Sequence, residues 1–305
     1  MRPDSRGVPS VEGVPITHPD RVMFPDSGLT KIELAQYYAR IADWMVPHVA
    51  GRPLTLVRCP TGLAADCFFM KHSKVWAPPA LDRVDIQEKT KIGGYLVATS
   101  GAALVSLVQM DVLEIHTWNS CVGHLEQPDR IVLDIDPGPE ITWADVIAAA
   151  RLVRRQLEGA GLESFVKTTG GRGLHVVVPL QPSADWSDCL AFSRSLAETI
   201  AAHDPDRYTT RFAKAGRERK ILIDYLRNNR TNTSIAAFSM RAKPHAPVSM
   251  PLAWSDLHAR IRPEAFTVET VPARLSRMRR DPWAGYWTCR QRLTRAMTRA
   301  ITIAV

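Results

Sequence analysis

The fold is decided by the stretch Arg130-Ile131-Val132-Leu133-Asp134-Ile135-Asp136-Pro137-Gly138-Pro139. Its apolar first half predicts a buried strand, and the Pro-Gly-Pro sequence predicts that the strand ends there. Side chains two residues apart in a strand point to the same face, so Asp134 and Asp136 project together. Two neighbouring carboxylates repel each other unless a cation lies between them. The pair therefore predicts either a site for a hard divalent cation, Mg²⁺ or Mn²⁺, or a strand end that only caps a turn.

A third aspartate, Asp224, ends a second apolar strand, Ile221-Leu222-Ile223. A basic stretch that includes Arg217 and Lys220 comes just before this strand. Such a stretch is either a solvated surface or a funnel for an anion, and its position beside a strand-end carboxylate favours the funnel.

A glycine-rich loop lies between the two aspartate strands, with the sequence Thr168-Thr169-Gly170-Gly171-Arg172-Gly173-Leu174-His175. Glycines let the backbone approach a ligand and present its N–H groups, while Thr169, Arg172 and His175 add a hydroxyl, a cation and an imidazole. This composition is typical of a phosphate-binding loop. It is neither a Walker motif, which needs Gly-Lys-Thr or Gly-Lys-Ser, nor a dinucleotide fingerprint, which needs a following helix. The alternative is an ordinary glycine hairpin.

The overall composition favours a polyanionic partner. The 305 residues include 39 Lys and Arg against 31 Asp and Glu, a net charge of +8 that indicates nucleic acid first and a basic but inert surface as the alternative. The five cysteines are scattered without C-x-x-C spacing, so we expect neither a zinc site nor a disulfide framework. Their odd number fits a reducing compartment. With no signal sequence and no membrane-spanning stretch, we expect a cytoplasmic protein without a membrane partner.

The N-terminal third carries further candidate contacts to nucleic acid. Lys31 opens a helix for which Thr30 is the predicted N-cap, and a predicted strand after Gly51 carries Arg52 and Arg58. Adjacent aromatic residues in a strand point to opposite faces, so Phe68 or Phe69, beside Lys71, is a candidate platform for a nucleobase. The alternative places both rings in the core. His116, on a later predicted strand, is either a packed histidine or a ligand contact.

These motifs resemble, in order and in separation, those of the polymerase domain of bacterial ligase D, a branch of the archaeo-eukaryotic primase superfamily. The matching stretches are Leu133-Asp134-Ile135-Asp136-Pro137-Gly138, Gly170-Gly171-Arg172-Gly173-Leu174-His175 and Ile223-Asp224-Tyr225-Leu226-Arg227-Asn228. The resemblance covers nearly the whole chain and implies an α/β fold, with a mainly antiparallel catalytic sheet flanked by helices. We expect a loose arm over residues 1–12, an N-terminal α/β DNA-end-binding subdomain over 13–120 and a catalytic subdomain with a basic tail over 121–305.

The resemblance also implies roles for individual residues. Two metal ions per site, Mn²⁺ in preference to Mg²⁺, are implied for the three aspartates Asp134, Asp136 and Asp224. The implied nucleotide-binding residues are His116, Thr169, Gly171, Arg172, His175, Arg217, Lys220 and Arg241, with His116 at the 2′-hydroxyl. The implied DNA-binding residues are Arg21, Lys31, Arg52, Arg58, Phe68, Phe69 and Lys71, the first two at a 5′-phosphate. Thr169 stands where serine is common and Arg172 where lysine is also found, so we expect altered nucleotide affinity rather than lost chemistry.

The implied activity is template-directed transfer of a nucleotide from an NTP or dNTP to a primer 3′-hydroxyl, with ribonucleotides preferred. It serves gap filling and end extension in bacterial non-homologous end joining, on DNA ends and gapped duplex with a 5′-phosphate. A Ku-type protein and an ATP-dependent DNA ligase are the implied partners, in a nucleoid-associated location. A primer-independent primase and a non-catalytic DNA-end-binding module are the alternatives. These residues contain no ligase or nuclease motif, so the chain is either a stand-alone polymerase or a module of a longer protein.

Overall fold

The structure, a computed structural model, describes residues 7–73, 77–213, 215–299 and 301. The strands are β1 (Ser10–Val11), β2 (Val14–Pro15), β3 (Val22–Phe24), β4 (Leu29–Thr30), β5 (Leu54–Arg58), β6 (Pro60–Leu63), β7 (Phe68–Met70), β8 (Leu81–Gln87), β9 (Ile92–Ala98), β10 (Val112–Thr117), β11 (Arg130–Pro137), β12 (Phe165–Thr168), β13 (Leu174–Pro179), β14 (Tyr208–Thr209), β15 (Ile221–Asp224), β16 (Ser234–Ile235) and β17 (Pro251–Leu252). The helices are α1 (Lys31–Arg40), α2 (Ala42–Val49), α3 (Gly101–Gln109), α4 (Trp143–Gly159), α5 (Trp186–His203), α6 (Val271–Arg277) and α7 (Arg295–Arg299). None of the helices in the described ranges is long and apolar enough to cross a membrane.

The chain divides into two compact units. The first contains the chain up to Thr117 together with Ile235–Val248 and Ala265–Met278. The second contains Trp118–Ser234, Ser249–Glu264 and the chain from Arg279 onward. Each unit is therefore assembled from segments that are distant in sequence.

The second unit is built on a six-stranded sheet in the order β14-β15-β11-β13-β12-β17. All neighbours are antiparallel except β14 and β15, so the sheet is mainly antiparallel, as predicted. Strand β11, which carries the aspartate pair, lies inside the sheet between β15 and β13. Every residue of β13 is buried, including His175, and the other five residues of the strand are apolar. The aspartate strand is thereby held on both sides.

Helix α4 begins directly after its N-cap residue, Thr142. The Thr142 Oγ1 accepts a hydrogen bond from the Asp145 N–H, and the Asp145 carboxylate accepts one from the Thr142 N–H, both at 3.3 Å. This reciprocal cap satisfies two backbone donors that a helix N-terminus otherwise leaves unpaired. It fixes the chain just after the end of β11.

The first unit contains a four-stranded sheet in the order β16-β10-β5-β7 and a two-stranded hairpin of β8 and β9. Of the predicted loose arm, residues 1–6 lie outside the described residues. Its last part is not loose, because Ser10 pairs with Pro15 and Val11 with Val14 in the hairpin of β1 and β2.

Cys59 and Cys67 form a disulfide, so the expectation of a chain without disulfides is wrong. The reason is the pairing of β5 with β7. Arg58 and Phe68 are register partners in this antiparallel pair, so the next residues outward face each other, with their Cα atoms 4.4 Å apart. Cysteine spacing alone does not reveal this pairing, because a loop of arbitrary length can join two antiparallel strands.

Candidate active site

Three aspartates lie together on neighbouring strands of the second unit. Asp134 on β11 is the direct register partner of Asp224 on β15, and Asp136 follows two residues further along β11. Ile135 between them is fully buried, as expected for alternating faces. The side chains of Asp134 and Asp224 are only 13% and 6% exposed, whereas that of Asp136 is 53% exposed. Two carboxylates are thus held within the protein and the third faces solvent.

The aspartates are compensated by arginines. Arg227 bridges the two buried carboxylates, with Nη2 3.3 Å from Asp134 Oδ2 and Nε 2.9 Å from Asp224 Oδ2. Arg217 Nη2 donates to Asp136 Oδ2 at 2.5 Å. The sequence analysis placed Arg217 at the site but gave Arg227 no role. The signal for Arg227 was its position three residues after Asp224, immediately after an apolar strand.

His175 is buried beside Asp134, with Nε2 3.5 Å from Asp134 Oδ2. Burial and the nearby Lys167 cation lower the pKa of His175 to about 4, so the ring is neutral at neutral pH. Burial alone raises the pKa of Asp134, but His175, Arg227 and Lys167 outweigh it and hold this pKa below its ordinary value. Asp134 is therefore ionised at neutral pH.

The pKa of Asp224 is shifted in the opposite direction to that of Asp134. Burial raises the pKa of Asp224 to about 6, Arg227 opposes this rise, and the neighbouring Asp134 and Asp136 add to it. A carboxyl group with such a pKa exchanges its proton easily for another cation near neutral pH.

The glycine-rich loop is fixed against the end of β11. Thr169 Oγ1 donates to the Gly173 carbonyl and accepts from the Gly171 N–H, both at 3.2 Å. A Cβ atom at Gly173 would lie 2.5 Å from the Ile135 carbonyl oxygen, so only glycine fits there. Arg172 Nη2 donates to two backbone carbonyls, those of Pro139 and Ile141, at 3.0 Å each. The loop is thus a fixed feature of this edge and not a free hairpin.

A cavity of about 360 Å³ opens between this loop and the segment that carries Arg217. Its lining includes Asp136, Arg172 and Arg217. The segment approaches closely because Gly138 has no side chain; a Cβ atom there would meet the Arg217 carbonyl oxygen at 2.0 Å. Lys220, another predicted nucleotide contact, donates its Nζ to the Pro205 carbonyl at 2.7 Å and does not line this cavity.

The first unit holds the predicted sugar contact, His116, in a buried ionic cluster. His116 Nε2 donates to Glu114 Oε2 at 2.8 Å. The other oxygen of Glu114 accepts from Arg241 Nε and from the Ala242 N–H, both at 2.9 Å. Burial raises the pKa of Glu114, but His116 and Arg241 outweigh it and lower this pKa to about 2. Glu114 thereby fixes the orientation of two predicted nucleotide contacts.

Phe68 and Phe69 are 47% and 71% exposed, so the interpretation that places both rings in the core is wrong. They lie on β7, a three-residue strand at the end of its sheet. The Phe69 ring lies 6.1 Å from the His116 ring in an edge arrangement, and Arg58 lies 5.6 Å from the centre of the Phe68 ring. Lys71 is exposed immediately after this strand.

The two predicted 5′-phosphate contacts share one carboxylate in the first unit. Lys31 Nζ and Arg21 Nη1 lie 2.7 and 3.3 Å from Asp111 Oδ1. Burial lowers the pKa of Lys31, and Asp111 partly offsets this. Lys31 is only 2% exposed and Arg52, another predicted DNA contact, is 5% exposed. Arg21, whose side chain is 29% exposed, is therefore the more accessible of the two cations that contact Asp111.

The donor set of the three aspartates fits a hard divalent ion, since it consists only of carboxylate oxygens. Within the described residues, however, no three His, Cys, Asp or Glu side chains are already arranged around a common point for a metal. The physical reason is that the aspartate oxygens face Arg227, Arg217 and His175. A divalent ion bound by these oxygens would take the place of the guanidinium groups that contact them here.

Comparison with known proteins gives a consistent result. The family model described as LigD, primase-polymerase domain, matches residues 30–283. The multifunctional non-homologous end joining protein LigD of Pseudomonas aeruginosa is 37% identical over 290 residues, which are 95% of this chain and 34% of the relative. The protein of the same name from Mycolicibacterium smegmatis is 34% identical over 82% of this chain and 33% of its own. The chain thus spans about a third of the length of these relatives.

A solved structure agrees with these relatives. The polymerase domain of Mycobacterium tuberculosis ligase D in complex with DNA matches with a TM-score of 0.81 and 29% identity, covering 87% of this chain and 94% of that chain. The family model covers far more than half of the sequence, and its range includes the three aspartates and the glycine-rich loop. This chain therefore belongs to the LigD primase-polymerase family.

Proposed function

We propose that this chain is a template-directed polymerase that transfers a nucleotide from an NTP or dNTP to a primer 3′-hydroxyl in the repair of DNA breaks. The observation that carries the proposal is the pairing of Asp134 with Asp224 across β11 and β15, with Asp136 at the adjoining cavity. Family membership supports the same reaction. The reaction joins the α-phosphate to the 3′-oxygen and releases pyrophosphate.

The three aspartates are proposed to hold two divalent ions, Mn²⁺ or Mg²⁺. When bound, such ions lower the pKa of the attacking hydroxyl and neutralise charge on the phosphates. Asp134, ionised at neutral pH, and Asp224, with its raised pKa, provide oxygens from two paired strands. Asp136, half-exposed, provides a third from the cavity side.

The triphosphate is proposed to bind in the cavity lined by Arg172 and Arg217. Guanidinium groups match phosphate oxygens geometrically and stay charged at all relevant pH values. Among the carboxylates of the described residues, Arg217 forms an ion pair only with Asp136. When a cation neutralises this aspartate, the guanidinium group can turn from it to a phosphate. Thr169 and His175 support this loop from the buried side.

In the first unit, Phe68 and Phe69 are proposed to stack on template bases, since large exposed aromatic rings beside cations are typical of single-strand contacts. Arg21 and Lys31 are proposed to bind a 5′-phosphate at a gap. His116 is proposed to select the 2′-hydroxyl, which gives a preference for ribonucleotides. A Ku-type end-binding protein and an ATP-dependent DNA ligase are proposed as partners.

A primer-extension assay tests the proposed function. Gapped duplex with a labelled primer and a 5′-phosphate is incubated with Mn²⁺ and each NTP or dNTP. Template-dependent addition of one or a few nucleotides is the expected result. Products from an unprimed template would instead indicate a primase, and DNA binding without extension would indicate an end-binding module.

A further inference from the structure

The aspartate strands are joined by a side chain that takes the place of a missing strand residue. Strand β15 pairs with β11 from Ile221 opposite Pro137 to Asp224 opposite Asp134. Continued pairing in this register would bring Tyr225 opposite Leu133 and Leu226 opposite Val132. The chain instead leaves the sheet after Asp224 and forms a 3₁₀ turn over Leu226–Asn228.

The side chain of Asn228 fills this gap in the ladder. Its Oδ1 accepts from the Val132 N–H at 2.7 Å, and its Nδ2 donates to the Val132 carbonyl at 2.8 Å. A carboxamide has the same donor and acceptor as a peptide group, so it reproduces both hydrogen bonds of a strand neighbour. Asn228 is 1% exposed and Val132 is also 1% exposed, so water does not replace these bonds.

The remaining hydrogen-bonding positions of the same carboxamide are also used. Nδ2 donates to the Tyr225 carbonyl at 3.0 Å, and Oδ1 accepts from Asn119 Nδ2 at 3.2 Å. All four positions of the group are then satisfied, which fixes its orientation: a flipped amide would turn its oxygen toward two carbonyls. Few buried side chains are so completely determined.

The other end of the turn is fixed by Asp224 itself, whose Oδ1 accepts from the Leu226 N–H at 2.8 Å. The turn thus begins on one aspartate and ends on Val132, two residues before Asp134 on the same strand. Loss of the Asn228 anchor frees the end of β15 and leaves two buried backbone groups of β11 unpaired. Both changes act on the relative position of Asp134 and Asp224.

We propose that Asn228 is a positioning residue that holds Asp134 and Asp224 at the separation required for binding divalent metal. The proposal rests on the proposed function, because it concerns the metal site assigned there. In this proposal the buried Asn228 acts through the backbone of β11 and the turn after β15, and not by contact with substrate or metal.

The test compares Asn228→Leu with Asn232→Leu in the full chain. Leucine has nearly the shape of asparagine without its hydrogen bonds. Asn232 is a matched control because its Nδ2 donates to the Leu226 carbonyl at 2.6 Å, and therefore to the same turn. Within the described part of the chain, its side chain makes no hydrogen bond to β11. Mn²⁺ is titrated into each protein and the free ion is followed by electron paramagnetic resonance. Hydrogen exchange over residues 130–136 reports the loss of the Val132 partner.

Asn228→Leu is expected to weaken Mn²⁺ binding about 10- to 100-fold, the usual effect of removing a residue that orients metal ligands. Its kcat for nucleotide addition falls with it, while DNA affinity, measured without metal, stays at the wild-type value. Exchange over residues 130–136 becomes faster. Asn232→Leu retains wild-type Mn²⁺ affinity.

A folded Asn228→Leu protein with wild-type Mn²⁺ affinity overturns the proposal, as does an equal loss in Asn232→Leu. If Asn228→Leu does not fold, Asn228→Asp is used for the same test. It keeps the volume and the acceptor for the Val132 N–H but places an oxygen against the Val132 carbonyl, so the same loss is expected. If the wild-type protein itself binds no Mn²⁺ and extends no primer, the proposed function is refuted together with this proposal. The wild-type measurement alone gives that result, so it is separate from any result that depends on comparing variants.

Discussion

The metal-free protein is expected to become more stable when Asp224 is replaced by asparagine, although the same change abolishes catalysis. The reason is the burial that raises the pKa of this carboxyl from its ordinary value of 3.8 to about 6. The difference corresponds to about 3 kcal/mol, since each pKa unit is worth about 1.4 kcal/mol. The folded protein bears this cost whenever Asp224 is ionised and no metal is bound.

The pH dependence of this gain in stability follows from the ordinary and the raised pKa of Asp224. Between about pH 4 and pH 6 folded Asp224 keeps a proton that the unfolded chain has released. The contribution of this group to the free energy of unfolding therefore decreases as pH rises through this window and is constant above it. Asp224→Asn has no such proton. Its gain over the wild type is near zero at about pH 4 and approaches about 3 kcal/mol at neutral pH.

Urea unfolding in EDTA, followed by tryptophan fluorescence at several pH values, measures this gain. Asp136→Asn is the control, because the Asp136 side chain is 53% exposed and water solvates its carboxylate. It is expected to give no comparable gain. Added Mn²⁺ should stabilise the wild type more than Asp224→Asn, since only the wild type keeps all proposed ligands. Equal stability of Asp224→Asn and the wild type at neutral pH in EDTA refutes the reasoning.

Four further outcomes are expected. Asp134→Ala should abolish nucleotide addition and leave DNA binding near normal in an anisotropy assay, because removing a negative charge does not weaken phosphate contacts; substantial residual extension contradicts the metal assignment. Lys31→Ala should weaken binding of gapped duplex with a 5′-phosphate more than with a 5′-hydroxyl, and equal losses would make it a general contact. His116→Ala should erase most of the preference for NTP over dNTP in competition assays. We expect this preference to be roughly 5- to 150-fold, because leaving a polar group unpaired costs about 1–3 kcal/mol. An unchanged ratio would assign sugar selection to another residue. Cys67→Ser should lower the free energy of unfolding by about 2.5 kcal/mol without reductant, with no difference from the wild type in dithiothreitol, because the loop closed by Cys59 and Cys67 is short.

The sequence predicted the parts of the site that depend on local pattern. The alternation around Ile135 placed Asp134 and Asp136 on one face, and the N-cap Thr30 placed the start of α1 at Lys31. Both are short-range effects of backbone geometry and hydrogen bonding, so residues within four positions determine them.

What the sequence did not predict depends on which strands become neighbours. The disulfide follows from the register of β5 with β7. The sequence left open whether Phe68 or Phe69 is exposed, and the exposure of both follows from the place of β7 at the end of its sheet. Likewise, Arg227 gains its importance only when β15 pairs with β11 and brings two aspartates within its reach. Periodicity reports the face of a strand but not its partner.

The strands and the arginines have separate roles at the proposed metal site. The carboxylates of Asp134 and Asp224 are fixed by strand pairing, so their mutual repulsion cannot be relieved by moving apart. Their compensating cation, Arg227, comes instead from a turn outside the strands, and Arg217, which pairs with Asp136, comes from a loop. Exchange of a guanidinium for another cation therefore requires side-chain movement alone. We therefore expect the strand register, which Asn228 completes at Val132, to stay the same if a divalent ion binds, so that the proposed ligand positions exist before the ion arrives.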